Sequence, residues 1–310
     1  MALDLVTAGE SHGRELVAVL SGVPAGLRLD RAALDAELGR RQHGYGRSGR
    51  QKIENDKVDV RAGLRDGVTL GSPLLLAISN RDWENWARVM DAWAVDPEAA
   101  ARRRLTAPRP GHADLVGAWK YGHTEDLRNA LERASARETA ARVVAGAVCK
   151  QLLARCAVSI RSGVLALGGT VLLEGPPSFA DLEKVDDSSP LRSVAPDREA
   201  GLIAKIDEAK HAGETLGGVV GVVARGVPPG LGSYARWEER LDGHLARPSW
   251  RFRQSKRWRL APDSRRPFSP ARGRTTRSSP ARGACAGDRT TPGVSRQASP
   301  TARRSSSAPS

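Results

Sequence analysis

KVDVRAGLRDGVTLGSPLLLAIS, residues 57–79, reads as two strands joined by a tight turn. Lys57 to Leu64 and Val68 to Ser79 are strand-like, and Asp66-Gly67 between them suits the positive φ of a short hairpin loop. Upstream, Asp30 has the character of an N-cap. The helix it opens carries Ala33, Leu34 and Leu38 on one face and ends in Arg40 and Arg41. Downstream, Ser135-Ala136-Arg137-Glu138 reads as a capping box, with Ala140, Val143, Val144, Ala147, Val148 and Leu152 following at helical spacing. Val158 to Leu173 is strand-like and interrupted by glycine. Asp197 to Lys210 is amphipathic through Leu202, Ile203, Ile206 and Ala209. Gly217 to Val223 predicts a further buried strand, closed by Val227-Pro228-Pro229-Gly230. Helices and hairpins mix without βαβ alternation or internal repeat, so the expected class is α+β.

Charge divides the chain. Of its 49 Lys plus Arg and 35 Asp plus Glu, 16 basic and 2 acidic residues (Asp263 and Asp288) lie in 247–310. That leaves 33 of each sign in 1–246, so the whole net charge of +14 belongs to the tail. The tail holds few apolar residues besides Trp250, Phe252, Trp258, Leu260, Phe268 and Val294. Such a composition cannot offset an ordering cost of about 1–2 kcal/mol per residue, and it predicts disorder. Cys149, Cys156 and Cys285 form no CxxC pair, which fits reduced thiols in a cytoplasmic protein. The N-terminus lacks a signal-peptide layout, and no apolar run reaches the roughly 20 residues of a membrane span.

Candidate chemistry concentrates in loops and helix starts. Ser11 and His12 sit in Gly9-Glu10-Ser11-His12-Gly13, where flanking glycines allow close backbone approach to a ligand. Arg41 and Arg47 flank the loop His43-Gly44-Tyr45-Gly46, and Arg109 and His112 occupy the basic, proline-bearing stretch 102–111 and its edge. Arg133, Ser135 and Arg137 cluster where a helix start favours an anion. Arginine forks suit phosphate and carboxylate, and histidines move protons near neutrality. Together these residues predict a site for a polyanionic small molecule. The plainer readings are a solvated charge for any single arginine and an N-cap for Ser135. His43, His123, His211 and His244 belong to no partnered motif, and Trp83 and Trp86 read as packing or subunit-contact residues. Cys149 and Cys156 share one helical face, as core residues do, and no metal-ligand constellation is visible.

Strings in this order resemble one family. Gly9-Glu10-Ser11-His12-Gly13-Arg14 through Gly22-Val23-Pro24 is similar to the first motif of chorismate synthases. Arg40-Arg41-Gln42-His43-Gly44-Tyr45-Gly46-Arg47, Arg109-Pro110-Gly111-His112-Ala113-Asp114 and Glu132-Arg133-Ala134-Ser135-Ala136-Arg137-Glu138-Thr139 follow in family order. Gly213-Glu214-Thr215-Leu216-Gly217-Gly218-Val219-Val220 and Gly230-Leu231-Gly232-Ser233 carry the likeness to Ala246. The resemblance implies helices sandwiched between antiparallel sheets, a homotetramer, and reduced FMN as a cofactor that is not consumed. The implied reaction is the 1,4-anti elimination of phosphate from 5-enolpyruvylshikimate 3-phosphate, giving chorismate. By the same resemblance His12 protonates the departing phosphate and His112 sits near flavin N1. Ser11, Arg41, Arg47, Arg109, Ser135 and Arg137 hold the substrate's phosphate and carboxylates. Arg133, Ala134 and Ser135 touch FMN, and Arg41 and Arg47 are where an NADPH contact is assigned.

The resemblance stops at Ala246. It therefore predicts an incomplete synthase-like domain over 1–246, a basic tail over 247–310, and a chain inactive as written. The alternative class is a basic-tailed nucleic-acid binder, since sixteen cations attract phosphate backbones, although the chain shows no recognised nucleic-acid-binding motif. The genetic code points instead to a frameshift. Taking the third base of each codon with the first two of the next, the run around Trp250 to Ala261 permits Met-Ala-Ile-Gln-Ala-Ile-Lys-Ala-Val-Glu-Ile-Gly, similar to a flavin-site stretch of the family. Val294 to Pro309 permits, in the same frame, a glycine-rich stretch similar to the family's third motif. A single lost G turns CGC GCC GTC ATG G into CGC CCG TCA TGG, which reads Arg247-Pro248-Ser249-Trp250.

Overall fold

A computed structural model describes residues 3–46 and 55–250, apart from the Trp250 side chain. Arg47, Cys285, both long runs of the alternative frame and the rest of the tail beyond Trp250 lie outside the described residues.

Strands β1 (Asp4–Ala8) and β2 (Glu15–Ser21) pair antiparallel, with Val6 opposite Val19. Helix α1 follows at Arg31–Gln42, and the Asp30 side chain accepts from Ala32 N–H as an N-cap. Leu34 and Leu38 are buried beneath it, while Ala33 is half-buried. The expected hairpin forms, in pieces. Its arms are β3 (Asp59–Ala62) and β6 (Leu74–Ser79), and its tip is the two-residue pair β4 (Leu64–Arg65) and β5 (Val68–Thr69). Asp66 and Gly67 turn the tip at φ 50° and 71°. Gly63, at φ +82°, separates β3 from β4, and a Cβ there would lie 2.5 Å from the Pro73 carbonyl oxygen, so the chain breaks at a position only glycine fills. The sheet runs β1-β2-β6-β3.

Three short helices, α2 (Ala87–Met90), α3 (Pro97–Arg102) and α4 (Asp114–Tyr121), bracket the basic loop that ends near Gly111. Helix α5 (Arg128–Ala134) leads into α6 (Thr139–Arg155). The capping box expected between them does not form. Ser135 Oγ accepts from Arg137 N–H at 3.3 Å and caps a 3-10 turn, Ala136–Glu138, rather than α6 itself. Glu138 turns away to accept from Thr7 Oγ1 (2.7 Å) and Arg142 Nε (2.9 Å). A reciprocal box does occur at Ser178 and Asp181, opening α7 (Phe179–Glu183).

The expected strand over 158–173 becomes β7 (Ser159–Leu167) and β8 (Thr170–Val171), turned by Gly168-Gly169. Helix α8 (Glu199–His211) matches its amphipathic pattern and buries Leu202. Strand β9 (Gly218–Arg225) departs from expectation. Among the described residues it pairs with β7 alone, at the edge of a three-stranded sheet β8-β7-β9, and Val220 and Val222 are exposed. An unbroken run of small and β-branched residues does not distinguish a strand covered on both faces from one covered on one. Helix α9 (Leu241–Trp250) runs through Ala246 and contains Pro248. Cys149 is half-buried, but Cys156 lies just past the end of α6 and is exposed, contrary to core placement.

The core lies between the first sheet and helices α1 and α6. Leu16, Ala18 and Leu20 of β2 and Leu74, Leu76 and Ile78 of β6 pack under α1 and under Ala140, Val144, Ala147 and Val148 of α6. Helix α6 also contacts β7 of the second sheet. The arrangement is α+β, with helices between antiparallel sheets. No helix among the described residues is long and apolar enough to cross a membrane.

Candidate active site

The β1–β2 connection carries Ser11 and His12, and its shape is fixed locally. Gly9 stands at φ +97°, and a Cβ there would fall 2.3 Å from the Glu15 carbonyl oxygen. Gly9 is thus required by the turn itself. Asn80, just beyond β6, donates through Nδ2 to the Gly13 carbonyl (2.7 Å) and the Glu10 carbonyl (3.1 Å), tying the connection to the sheet. From the other side α5 grips it. Ser11 N–H donates to the Glu132 carbonyl at 3.1 Å, and His12 N–H donates to Glu132 Oε2 at 2.8 Å.

The His12 ring lies with Nδ1 2.8 Å from Glu132 Oε1, and Arg128 Nη1 donates to the same oxygen at 3.1 Å. Trp86 stacks on His12, with ring centroids 4.0 Å apart and 26° between planes. The Arg103 and Arg128 guanidiniums lie 4.0 and 4.8 Å from the Trp86 centroid. Trp86 is therefore a packing residue whose partner is the histidine. Burial works to raise the Glu132 carboxyl, but the side chain, charge and main-chain N–H of His12, with Arg128, outweigh it and hold the group below its ordinary value.

Asn80 also joins the arginines to this connection. Its Oδ1 accepts from Arg137 Nε at 2.9 Å, and Arg137 Nη1 donates to Asp56 Oδ2 at 2.6 Å. Arg41, at the end of α1, lies 3.8 Å from the same carboxylate oxygen and donates to Thr139 Oγ1 and the Ala136 carbonyl, each at 3.0 Å. Arg137 is only 7% exposed. Arg133 reaches back to β1, donating to the Thr7 carbonyl (2.6 Å) and the Gly9 carbonyl (3.3 Å), beside half-buried Ala134 and Ser135. Ser11, His12, Arg41, Arg133, Ser135 and Arg137 thus share one connected region.

Arg109 and His112 form a second group on Asp114, the first residue of α4. Arg109 donates from Nε (2.9 Å) and from its main-chain N–H (3.1 Å) to Asp114 Oδ2, while His112 Nδ1 contacts Oδ1. Arg109 Nη2 lies 3.1 Å from each ring nitrogen of His112. Burial raises the Asp114 carboxyl, and the hydrogen bonds from Arg109 and then His112 bring it below its usual range. Helix α4 packs on α5, which carries Glu132.

Glu132, Asp114, Trp86, Asn80 and Asp56 carry this geometry and were absent from the sequence-derived set. Glu132 and Asp114 sit within the quoted strings, and a histidine's need for a carboxylate partner was the signal available for them. Asn80 and Asp56 carry no local signature, because their partners are 57 and 81 residues away.

Comparison with known proteins adds the decisive observation. The family model described as chorismate synthase matches residues 3–250. The chain belongs to the chorismate synthase family. It is 52% identical over 247 residues to a chorismate synthase of Symbiobacterium thermophilum, covering 77% of this chain and 62% of that protein. It is likewise 52% identical over 244 residues to one from Moorella thermoacetica, covering 79% and 62%, respectively. A crystal structure of a chorismate synthase superposes with a TM-score of 0.64 at 41% identity, over 80% of this chain and 65% of that one. The matched region therefore spans just under two thirds of the length of these relatives.

Proposed function

We propose that residues 3–250 carry the proton-donating and phosphate-holding side of a chorismate synthase site. In the reading frame that continues the family's motifs, the protein converts 5-enolpyruvylshikimate 3-phosphate to chorismate by 1,4-anti elimination. The observation that carries this reading is that Asn80, which holds the Glu10 and Gly13 carbonyls flanking Ser11 and His12, also accepts from Arg137, whose partner Asp56 faces Arg41. This network ties the turn that carries the imidazole to two guanidiniums, and such groups are suited to receive a leaving phosphate.

The donor chemistry fits a phosphorylated flavin and an anionic substrate, because the groups gathered here are N–H and O–H donors with histidines still partly open to solvent. Reduced FMN, when bound, supplies electron density for breaking the C–O bond and recovers it as the C–H proton leaves. Arg133, Ala134 and Ser135 are the residues that would hold it, with His112 as a further polar group that would face it. His12 delivers a proton to the phosphate oxygen as the C–O bond breaks. Ser11, Arg41, Arg47, Arg109, Ser135 and Arg137 bind the phosphate and carboxylates. Arg109 serves both Asp114 and a ligand carboxylate only by turning its free edge, since its Nε is committed to Asp114. NADPH contact through Arg41 and Arg47, a homotetramer and a cytoplasmic location complete the reading.

The test is anaerobic turnover of 5-enolpyruvylshikimate 3-phosphate with reduced FMN, using the frame-restored chain. Chorismate formation is expected, and a folded frame-restored protein that forms none overturns the proposal.

A further inference from the structure

We propose that Glu132 is the positioning residue of His12: its carboxylate keeps a proton on Nδ1 and so leaves Nε2 as the nitrogen that gives and takes protons. A carboxylate can only accept, so every polar hydrogen-bonding atom facing it must bring a hydrogen. Main-chain N–H of His12 does so at 2.8 Å and Arg128 Nη1 at 3.1 Å. Nδ1, 2.8 and 2.9 Å from the two oxygens, is the third. A neutral imidazole has one N–H, so Nε2 then holds the lone pair. Trp86 across one ring face and the double hold of Glu132 on ring and backbone oppose rotation that would exchange the two nitrogens. Glu132 itself is 1% exposed, which keeps water from replacing it as the acceptor.

The tautomer assignment needs only this geometry. The consequence for catalysis rests on the function proposed above, in which His12 is the proton donor. The test is therefore led by a readout independent of turnover: 15N-edited NMR of the histidine rings in the full chain, with Glu132→Gln and Glu132→Ala alongside. In the unaltered chain the neutral His12 ring is expected as the Nδ1–H tautomer. In Glu132→Gln one acceptor oxygen becomes an N–H donor. Main-chain N–H of His12 claims the remaining oxygen, and the ring shifts toward Nε2–H. Glu132→Ala removes the acceptor and is expected to lose the Nδ1–H preference. An unaltered chain in the Nε2–H form overturns the proposal, as do folded variants that both keep the Nδ1–H form. If neither variant folds, the tautomer of the unaltered chain decides.

In the frame-restored protein, Glu132→Gln is expected to lower kcat by on the order of 10²–10⁴-fold with KM little changed, as a wrong tautomer does at other carboxylate-held histidines. A purely architectural carboxylate would lower stability and leave that split unmoved, and an unchanged kcat overturns the positioning role. An Nδ1–H ring in a frame-restored protein without turnover upholds the tautomer and removes the functional reading; frame-restored turnover with an Nε2–H ring does the reverse.

Discussion

Arg137 and Asp56 are 2.6 Å apart with both side chains withdrawn from water, so each charge is compensated by the other. Removing one partner of a buried pair costs about 3–5 kcal/mol, chiefly through the charge left behind. Arg137→Met is expected near the low end of that range, because Arg41 also faces Asp56 at 3.8 Å, and urea unfolding measures it. A second expectation concerns acid. The Glu132 carboxyl is depressed in the folded chain, whereas an unfolded glutamate titrates near about 4.3. Between those values the unfolded chain binds more protons, so the stabilisation is present above about pH 4.3 and is lost as pH falls through the folded value. Urea unfolding between pH 3 and 7 should accordingly show Glu132→Gln losing less stability on acidification than the unaltered chain. His12→Ala and His112→Ala should each lower turnover of the frame-restored enzyme by about 10²–10⁴-fold while substrate binding persists. Equilibrium binding beside steady-state rates separates the two effects. At this scale the sequence singled out candidate groups and was silent about what holds them. His12 and Ser11 stand in a recognisable string, but Glu132, 120 residues on, is an ordinary helical acid until the fold delivers it.

The elements differ in how openly they announce themselves. α1 and α8 were legible because capping and amphipathic spacing are local properties, and the hairpin because Asp66-Gly67 dictates its turn. The start of α6 was not. Ser135 has the right residue three positions before Glu138, but Glu138 finds better-placed partners in Arg142 and Thr7, the latter on a strand 131 residues away. Tertiary contacts overrode a local signature worth about 1 kcal/mol. Strand β9 misled for the opposite reason, since composition reports how apolar a strand is and not how many of its faces are covered. The helix layer is the mechanical centre of the fold. Leu38 of α1 is fully buried in the cluster that includes Ala141, Val144 and Val148 of α6. Leu38→Ala is expected to cost about 2–5 kcal/mol, read as a shift in the denaturation midpoint, with the larger value if the cavity stays open.

For the molecule as a whole, the two parts of the sequence obey different rules. Residues 3–250 match one family throughout, while 247–310 carry all of the net charge and none of that family's motifs in the frame as written. A naturally selected basic tail has no reason to permit two long runs like family motifs one base out of step. Two long runs in one frame, joined at a single-base loss, are the expectation of a frameshift. The DNA decides it: the codon for Pro300 should end in A, because Thr301 then yields Asn in the shifted frame. The chain as written is expected to form no chorismate, and restoring one G near codon 248 should restore turnover. The grip of α5 on the β1–β2 connection has a further consequence, in time rather than in space. The hydrogen bonds that orient His12 come from a helix 120 residues later. A chain made from its N-terminus at about 5–20 residues per second exposes the histidine roughly 6–24 s before its carboxylate exists. During that interval nothing from α5 fixes the ring, and His12 gains its orientation only late in synthesis, when α5 closes over a hairpin made long before.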